Sequence, residues 1–300
     1  MKASAPGKVI LLGEHAVVHG HPALAAAISR RVSVQVDEGP GAELVLPGPL
    51  ASPREIVDAA VAIAREAGRR RGFRVRVESE IPLGGGLGSS AALGVALARA
   101  FSRDEGRACA DGEAAHLALH LERVLHGAPS GVDPAVCARG GVILFRRAGA
   151  EAERVEAVRA PPIFLVVSLT GIARGTRSTV LPLGERRARE PHVYDPLLAR
   201  LGALALKGRA ALEAADLRAL GLHFDEAHGA LQALGVSCPE LDETVVRLRA
   251  AGALGAKLTG AGGGGAAIGL AADAAAAHRI ARVVPDSFVE RIAPPEESAP

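Results

Sequence analysis

The stretch Ile81-Pro82-Leu83-Gly84-Gly85-Gly86-Leu87-Gly88-Ser89-Ser90-Ala91-Ala92 constrains this chain more than any other. Its four glycines stand between an alternating, strand-like run (Phe73 to Val77) and an alanine-rich helical run (Ser90 to Phe101). Glycine reaches positive φ and lets a ligand approach the backbone closely. A helix beginning near Ser89 aims free N–H groups and its positive dipole end at the loop. Together these make an anion site, most naturally for phosphates. The two serines add hydroxyl ligands for phosphate or Mg²⁺. A merely flexible glycine-rich turn is the plain alternative, against which the strand, the helix and the serine pair all weigh. No Gly-Lys-Ser/Thr follows, as a P-loop requires. No acidic residue ends a second strand at the distance of a dinucleotide fold.

Three further segments carry chemistry. In Ala5-Pro6-Gly7-Lys8-Val9-Ile10-Leu11-Leu12-Gly13-Glu14-His15, a lysine opens a buried strand, and Glu14 and His15 leave its far end. A lysine there is costly unless it meets an anion; a satisfied edge lysine and a capping glutamate are the alternative. In Glu122 to Pro134, Glu122 ends a helix expected to bury Leu117, Leu121 and Val124, and Pro129-Ser130-Gly131 turns the chain to present Asp133. A carboxylate so placed is a general base or a helix N-cap. Lys257-Leu258-Thr259-Gly260-Ala261-Gly262-Gly263-Gly264-Gly265 lies between two strand-like runs. Its glycines imply close backbone packing against a ligand phosphate or the first glycine loop, or else a long hairpin turn.

Composition sharpens the weight of two lysines. The 35 basic residues are 4 lysines (Lys2, Lys8, Lys207, Lys257) and 31 arginines, and Asn is absent. Codon bias in a G/C-rich genome accounts for this best, with heat adaptation as a second reading. Either way an interior lysine is informative, and Lys8 and Lys257 both adjoin glycine-rich segments. The 33 acidic residues leave a net charge of +2, which argues against a nucleic-acid binder. No apolar run approaches the roughly 20 residues of a membrane span. Val9-Ile10-Leu11-Leu12 is too short for a secretory signal, so a cytoplasmic protein is expected. Cys109, Cys137 and Cys238 form no CxxC pair, which excludes a disulfide framework and a structural zinc site. The ten histidines show no metal spacing, and Arg69–Arg71 and Glu185–Glu190 read as solvated charge runs.

Alternation over Arg31 to Val36 and over Phe73 to Val77 predicts half-buried strands of antiparallel type. Helical spacing covers Ser52 to Arg71, Ser90 to Phe101 and Asp111 to His126, with Ser52 as an N-cap. Strands are expected at Gly141 to Phe145 and Ile163 to Ser168, followed by three helical stretches in 193–252. A hairpin (Ala256 to Thr259, Ala266 to Leu270), a helix (Asp273 to Val283) and a strand (Ser287 to Ile292) complete the pattern, with a frayed tail from Pro294. The irregular residues 147–162 mark a boundary between domains 1–155 and 156–300. Sheet and helices in separate blocks give an α+β chain.

In this order the segments resemble the GHMP small-molecule kinases. Ala5-Pro6-Gly7-Lys8 with Gly13-Glu14-His15 is similar to that family's first motif, Pro82 to Ala91 to its ATP loop, and Lys257 to Gly264 to its third motif. Within the family, His126-Gly127-x-Pro129-Ser130-Gly131-Val132-Asp133, Ala16-Val17-Val18-His19-Gly20 and Arg174-Gly175-Thr176 resemble the mevalonate kinase branch. Cys238 stands where that branch leads one to expect His. The resemblance implies a two-domain fold: an N-terminal mixed or antiparallel sheet with helices, a C-terminal α/β sandwich-like domain, and an active site in the cleft between them. It implies ATP and Mg²⁺ as cofactors, (R)-mevalonate as the small-molecule substrate, no nucleic-acid or membrane partner, and room for a homodimer. Asp133 and Lys8 would be catalytic. Pro82, Gly84, Gly85, Gly86, Leu87, Gly88, Ser89, Ser90 and Ala91 would bind ATP, and Ser90 and Glu122 would hold Mg²⁺. Glu14, His15, Ser130, Gly131, Thr176, Gly260 and Ala261 would line the substrate side. Another GHMP kinase, for phosphomevalonate or a sugar, and a non-catalytic metabolite sensor remain as alternatives.

Overall fold

The structure, a computed structural model, describes residues 1–47, 53–82, 84–127, 129–147, 154–172 and 182–293, and the backbone alone of His126. The chain begins with β1 (Lys2–Leu12), a 3-10 turn (Ala16–His19) and β2 (Ala23–Glu38), then β3 (Ala42–Val45), α1 (Arg54–Glu66) and β4 (Phe73–Ser79). Three helices follow: α2 (Ser89–Asp104), α3 (Asp111–His126) and α4 (Val132–Arg139). Next come β5 (Val142–Arg146), β6 (Arg154–Ala157) and β7 (Ile163–Leu169), then α5 (Leu183–Arg189), α6 (Pro191–Glu213), α7 (Leu217–Ala233) and α8 (Pro239–Ala250). The last described elements are β8 (Gly255–Thr259), β9 (Ala266–Ala271), α9 (Ala274–Val283) and β10 (Ser287–Ile292).

These elements pack as two units that interleave along the sequence. The first holds Met1–Lys8 and the described parts of 27–82 and 88–140. In it the later part of β2 pairs antiparallel with β4, placing Val34 opposite Val77 and Val36 opposite Val75, and β3 joins β4 in parallel. The predicted alternation is the alternation of burial: Phe73, Val75 and Val77 face the core while Arg74, Arg76 and Glu78 face water. Helix α2 packs against α1, α3 and α4, which explains its small residues. A Cβ on Gly94 would lie 2.8 Å from the Ala118 Cβ, so the glycine sets how closely α2 and α3 approach. Phe101 of α2 meets Phe73 of β4 at a ring-centroid distance of 4.9 Å.

The second unit holds Val9–Ala26, residues 84–87 and the described part of 141–293. Its four-stranded antiparallel sheet runs β10-β7-β9-β8. Helices α7 and α8 pack on β8, and α9 packs on β7 and β10. The apolar runs of β7 and β9 are buried on both faces, as their lack of alternation demands. In the same unit Ala23–Ala26 of β2 pairs with β5, and β5 with β6.

Several elements depart from expectation. β2 begins eight residues before Arg31, because the alanine-rich start of the strand lacks the branched residues that mark strands. β3 and β6 are short and largely exposed, and they escape the pattern. Val124 is 44% exposed rather than buried, whereas Leu117 and Leu121 are buried as expected. The charge run Glu185 to Glu190 is largely a solvated helix, α5, with no buried residue. Ser52 and the tail from Pro294 lie outside the described residues. The three cysteines are free thiols. Among the described residues no helix is long and apolar enough to cross a membrane.

Candidate active site

Lys8 lies inside β1, with three buried residues on either side nearest it, rather than at the strand's start. Its side chain is almost wholly enclosed, at 2% exposure, and Nζ sits 2.8 Å from Asp133 Oδ2. A buried ammonium needs such a partner. Asp133 belongs to the first turn of α4, whose N-cap is Gly131 at φ 90°, with no side-chain cap. The carboxylate is therefore engaged by Lys8, not by capping. At 27% exposure it is reachable from solvent. One turn along α4, burial pushes the Cys137 thiol well up, and the Asp133 charge adds to the effect. Cys137 thus stays a neutral packing residue beside the pair.

Gly88 shows why the phosphate-type loop must end in glycine. Its φ is 78°, and a Cβ there would lie 2.6 Å from the Lys8 Cγ. Gly84 (φ 75°) and Gly86 (φ 70°) also take left-handed conformations, which glycine adopts at little cost. Gly88 caps α2 without a side chain and no acid lies in that helix's first turn, so the positive dipole end is left for a ligand. Leu83 lies outside the described residues.

Ser90, at the second position of α2, donates from Oγ to Glu122 Oε1 at 2.5 Å. Glu122 is buried within α3 rather than ending it. A hydroxyl and a carboxylate are hard oxygen donors that fit Mg²⁺. No group of three or more His, Cys, Asp or Glu side chains suited to a metal occurs among the described residues.

In the second unit, β1 ends at Leu12 and is followed by Gly13, Glu14 and His15. His15 has φ 59°, rare for a residue with a side chain. Its Nε2–H donates to the Ala261 carbonyl at 3.0 Å. Glu14 is buried and ion-pairs with Lys257 of β8. Gly260 (φ 86°) opens the third glycine run. The tight packing expected of that run goes to the protein itself: a Cβ on Gly262 would lie 2.0 Å from the Val236 carbonyl oxygen, and one on Gly264 would lie 2.8 Å from that of Ile172. In the first unit, Ser130 Oγ accepts from the Val132 N–H at 3.4 Å, bracing the turn through Gly131. Thr176 and the segment 173–181 lie outside the described residues, as does the His126 side chain. Lys257 was not among the expected site residues, although it opens the third glycine motif. Its isolation among four lysines beside a glycine run was the available signal.

The models of the GHMP kinases N terminal domain and the GHMP kinases C terminal domain match residues 54–141 and 209–290. The chain belongs to the GHMP kinases. Mevalonate kinases from Pyrococcus horikoshii and Aeropyrum pernix are 37% and 38% identical to this GHMP kinase, each match covering 90% of this chain and 88% of the relative. The crystal structure of L. major mevalonate kinase in complex with R-mevalonate superposes with a TM-score of 0.87 at 30% identity, over 98% of this chain and 96% of that one. The two-domain α+β architecture expected of a GHMP kinase is the one observed, and the relatives group this GHMP kinase with mevalonate kinases.

Proposed function

We propose that this GHMP kinase phosphorylates the primary hydroxyl of (R)-mevalonate, using ATP and Mg²⁺. The observation that carries the reading is the Lys8–Asp133 ion pair in a chain whose relatives are mevalonate kinases. Asp133 accepts or orients the hydroxyl proton. Lys8 pairs with Asp133 and offsets charge on the group in transfer. The backbone from Pro82 through Gly84, Gly85, Gly86, Leu87, Gly88 and Ser89 to Ala91 receives the phosphates at the start of α2. Ser90 and Glu122 hold Mg²⁺, which neutralises phosphate charge when bound. Glu14, His15, Ser130, Gly131, Gly260 and Ala261, with Thr176, form the acceptor side.

A phosphorylated acceptor would need cations there. Glu14 instead presents an acid, and Lys257 is committed to it. A non-catalytic sensor has no need of the Lys8–Asp133 pair, which this chain keeps. The test is to incubate the protein with ATP, Mg²⁺ and (R)-mevalonate and weigh the product. One added phosphoryl group per ADP released supports the reading; unmodified mevalonate with intact ATP overturns it.

A further inference from the structure

We infer that Lys257 is a positioning residue for the acceptor, holding the Glu14–His15 turn in its binding shape. This rests on the acceptor-side role proposed above for Glu14 and His15.

Lys257 and Thr259 stand two residues apart on β8, so both project from the same face of the strand. Both reach β1. Thr259 Oγ1 donates to the Ile10 carbonyl at 3.0 Å and accepts from the Ile10 N–H at 2.9 Å. Lys257 Nζ ion-pairs with Glu14 and donates to the Leu258 carbonyl at 2.6 Å. The end of β1 is thus fastened at Ile10 and again at Glu14, directly before His15. The left-handed backbone of His15 persists only where its surroundings over-determine it. Glu14 is gripped on one side, and the His15 ring is tied to Ala261 on the other. Lys257 and Ala261 both come from the third glycine motif, so that motif shapes the end of the first.

Glu14 is a carboxylate that the structure places on Lys257. The Phe224 ring of α7 lies 5.9 Å from Nζ and favours a cation. On α7, His228 accepts at Nδ1 from the Leu258 N–H at 3.4 Å, and burial pushes its imidazole down to about 4, so it is neutral near pH 7. Asp242 of α8 faces His228 at 3.2 Å, and Asp225 of α7 is bonded to Arg249 of α8 at 2.6 Å. An apolar side chain would fill the Lys257 position at lower desolvation cost. A lysine there is explained by the charge that it must hold.

Replacing Lys257 with Met removes the ion pair that fastens Glu14. The experiment measures kcat, KM for mevalonate and KM for ATP, with a thermal melt, in wild type, Lys257→Met, Glu14→Gln and the double variant. Lys257→Met should raise the mevalonate KM about tenfold, with the ATP KM within about threefold. Equal changes in both KM values, or an unchanged mevalonate KM, would reduce Lys257 to a structural residue and overturn the inference. Should Lys257→Met fail to fold, the double variant, which replaces both partners of the pair, decides. Its mevalonate KM should match that of Glu14→Gln alone within about twofold; a further tenfold rise would show Lys257 acting independently of Glu14. Wild-type turnover tests the function separately: if another acceptor is preferred, the same comparison is read on that acceptor's KM.

Discussion

A methyl group on Gly88 would sit 2.6 Å from the Lys8 Cγ and 3.1 Å from its Cε, so the last loop glycine and the buried lysine occupy mutually exclusive space. The phosphate loop and the Lys8–Asp133 pair are thereby one mechanical unit. Gly88→Ala would also hold an L residue at φ 78°, a strain of about 1–2 kcal/mol. We expect kcat to fall by about tenfold or more, with little further loss when Lys8→Met is added, because Lys8 is already displaced. Steady-state rates of the two single variants and the double check this. Full additivity would separate the loop from Lys8.

Asp133→Asn should lower kcat by roughly 10²–10⁴ while ATP affinity changes little. The two partners are unequally enclosed, at 2% exposure for the Lys8 side chain and 27% for that of Asp133. Asp133→Asn strands a buried ammonium, whereas Lys8→Met leaves a carboxylate that water reaches. The Asn variant should therefore melt lower than the Met variant. A loss of less than about tenfold in Asp133→Asn would send the search for the base elsewhere. The reverse melting order would contradict the burial argument.

Ser90→Ala and Glu122→Gln should raise the Mg²⁺ concentration needed for half-maximal rate more than they raise the mevalonate KM. The basis is the 2.5 Å contact between these two hard oxygen donors at the start of α2. A Mg²⁺ titration at fixed ATP reads it. Unchanged Mg²⁺ dependence in both variants would remove this pair as the metal site.

His228 predicts an acid limit to stability. Its imidazole is pushed from 6.5 down to about 4, chiefly by burial, with the nearby Asp242 opposing. The unfolded chain therefore binds a proton that the folded one refuses between those values. The stabilisation is complete above pH 6.5, declines as pH falls, and is lost by about pH 4; it amounts to about 2–3 kcal/mol. Denaturant melts from pH 7.5 to 4.5 should show that decline, and His228→Leu should flatten it. An equally steep decline in the variant would assign it to other groups.

What the sequence shows and hides follows from local physics. The strands Val32–Val36 and Phe73–Val77 were legible because one face is wet, which writes burial into alternate residues. The alanine-rich start of β2 gave no such sign, and its strand is set by pairing with β5. Asp133 was legible as a presented carboxylate, but its choice between cap and ion pair depended on Gly131 taking the cap position of α4. The Ser90–Glu122 contact joins residues 32 positions apart, which only the packing of α2 on α3 brings together. The third glycine run advertised close packing correctly, while its partners, Val236 and Ile172, were beyond any local pattern.

The most direct measurement is ADP release with (R)-mevalonate, phosphomevalonate, homoserine and galactose in parallel, at fixed ATP and Mg²⁺. The account predicts that mevalonate has the highest kcat/KM, with each of the others at least about tenfold lower. Equal or faster turnover of any of the three would contradict it.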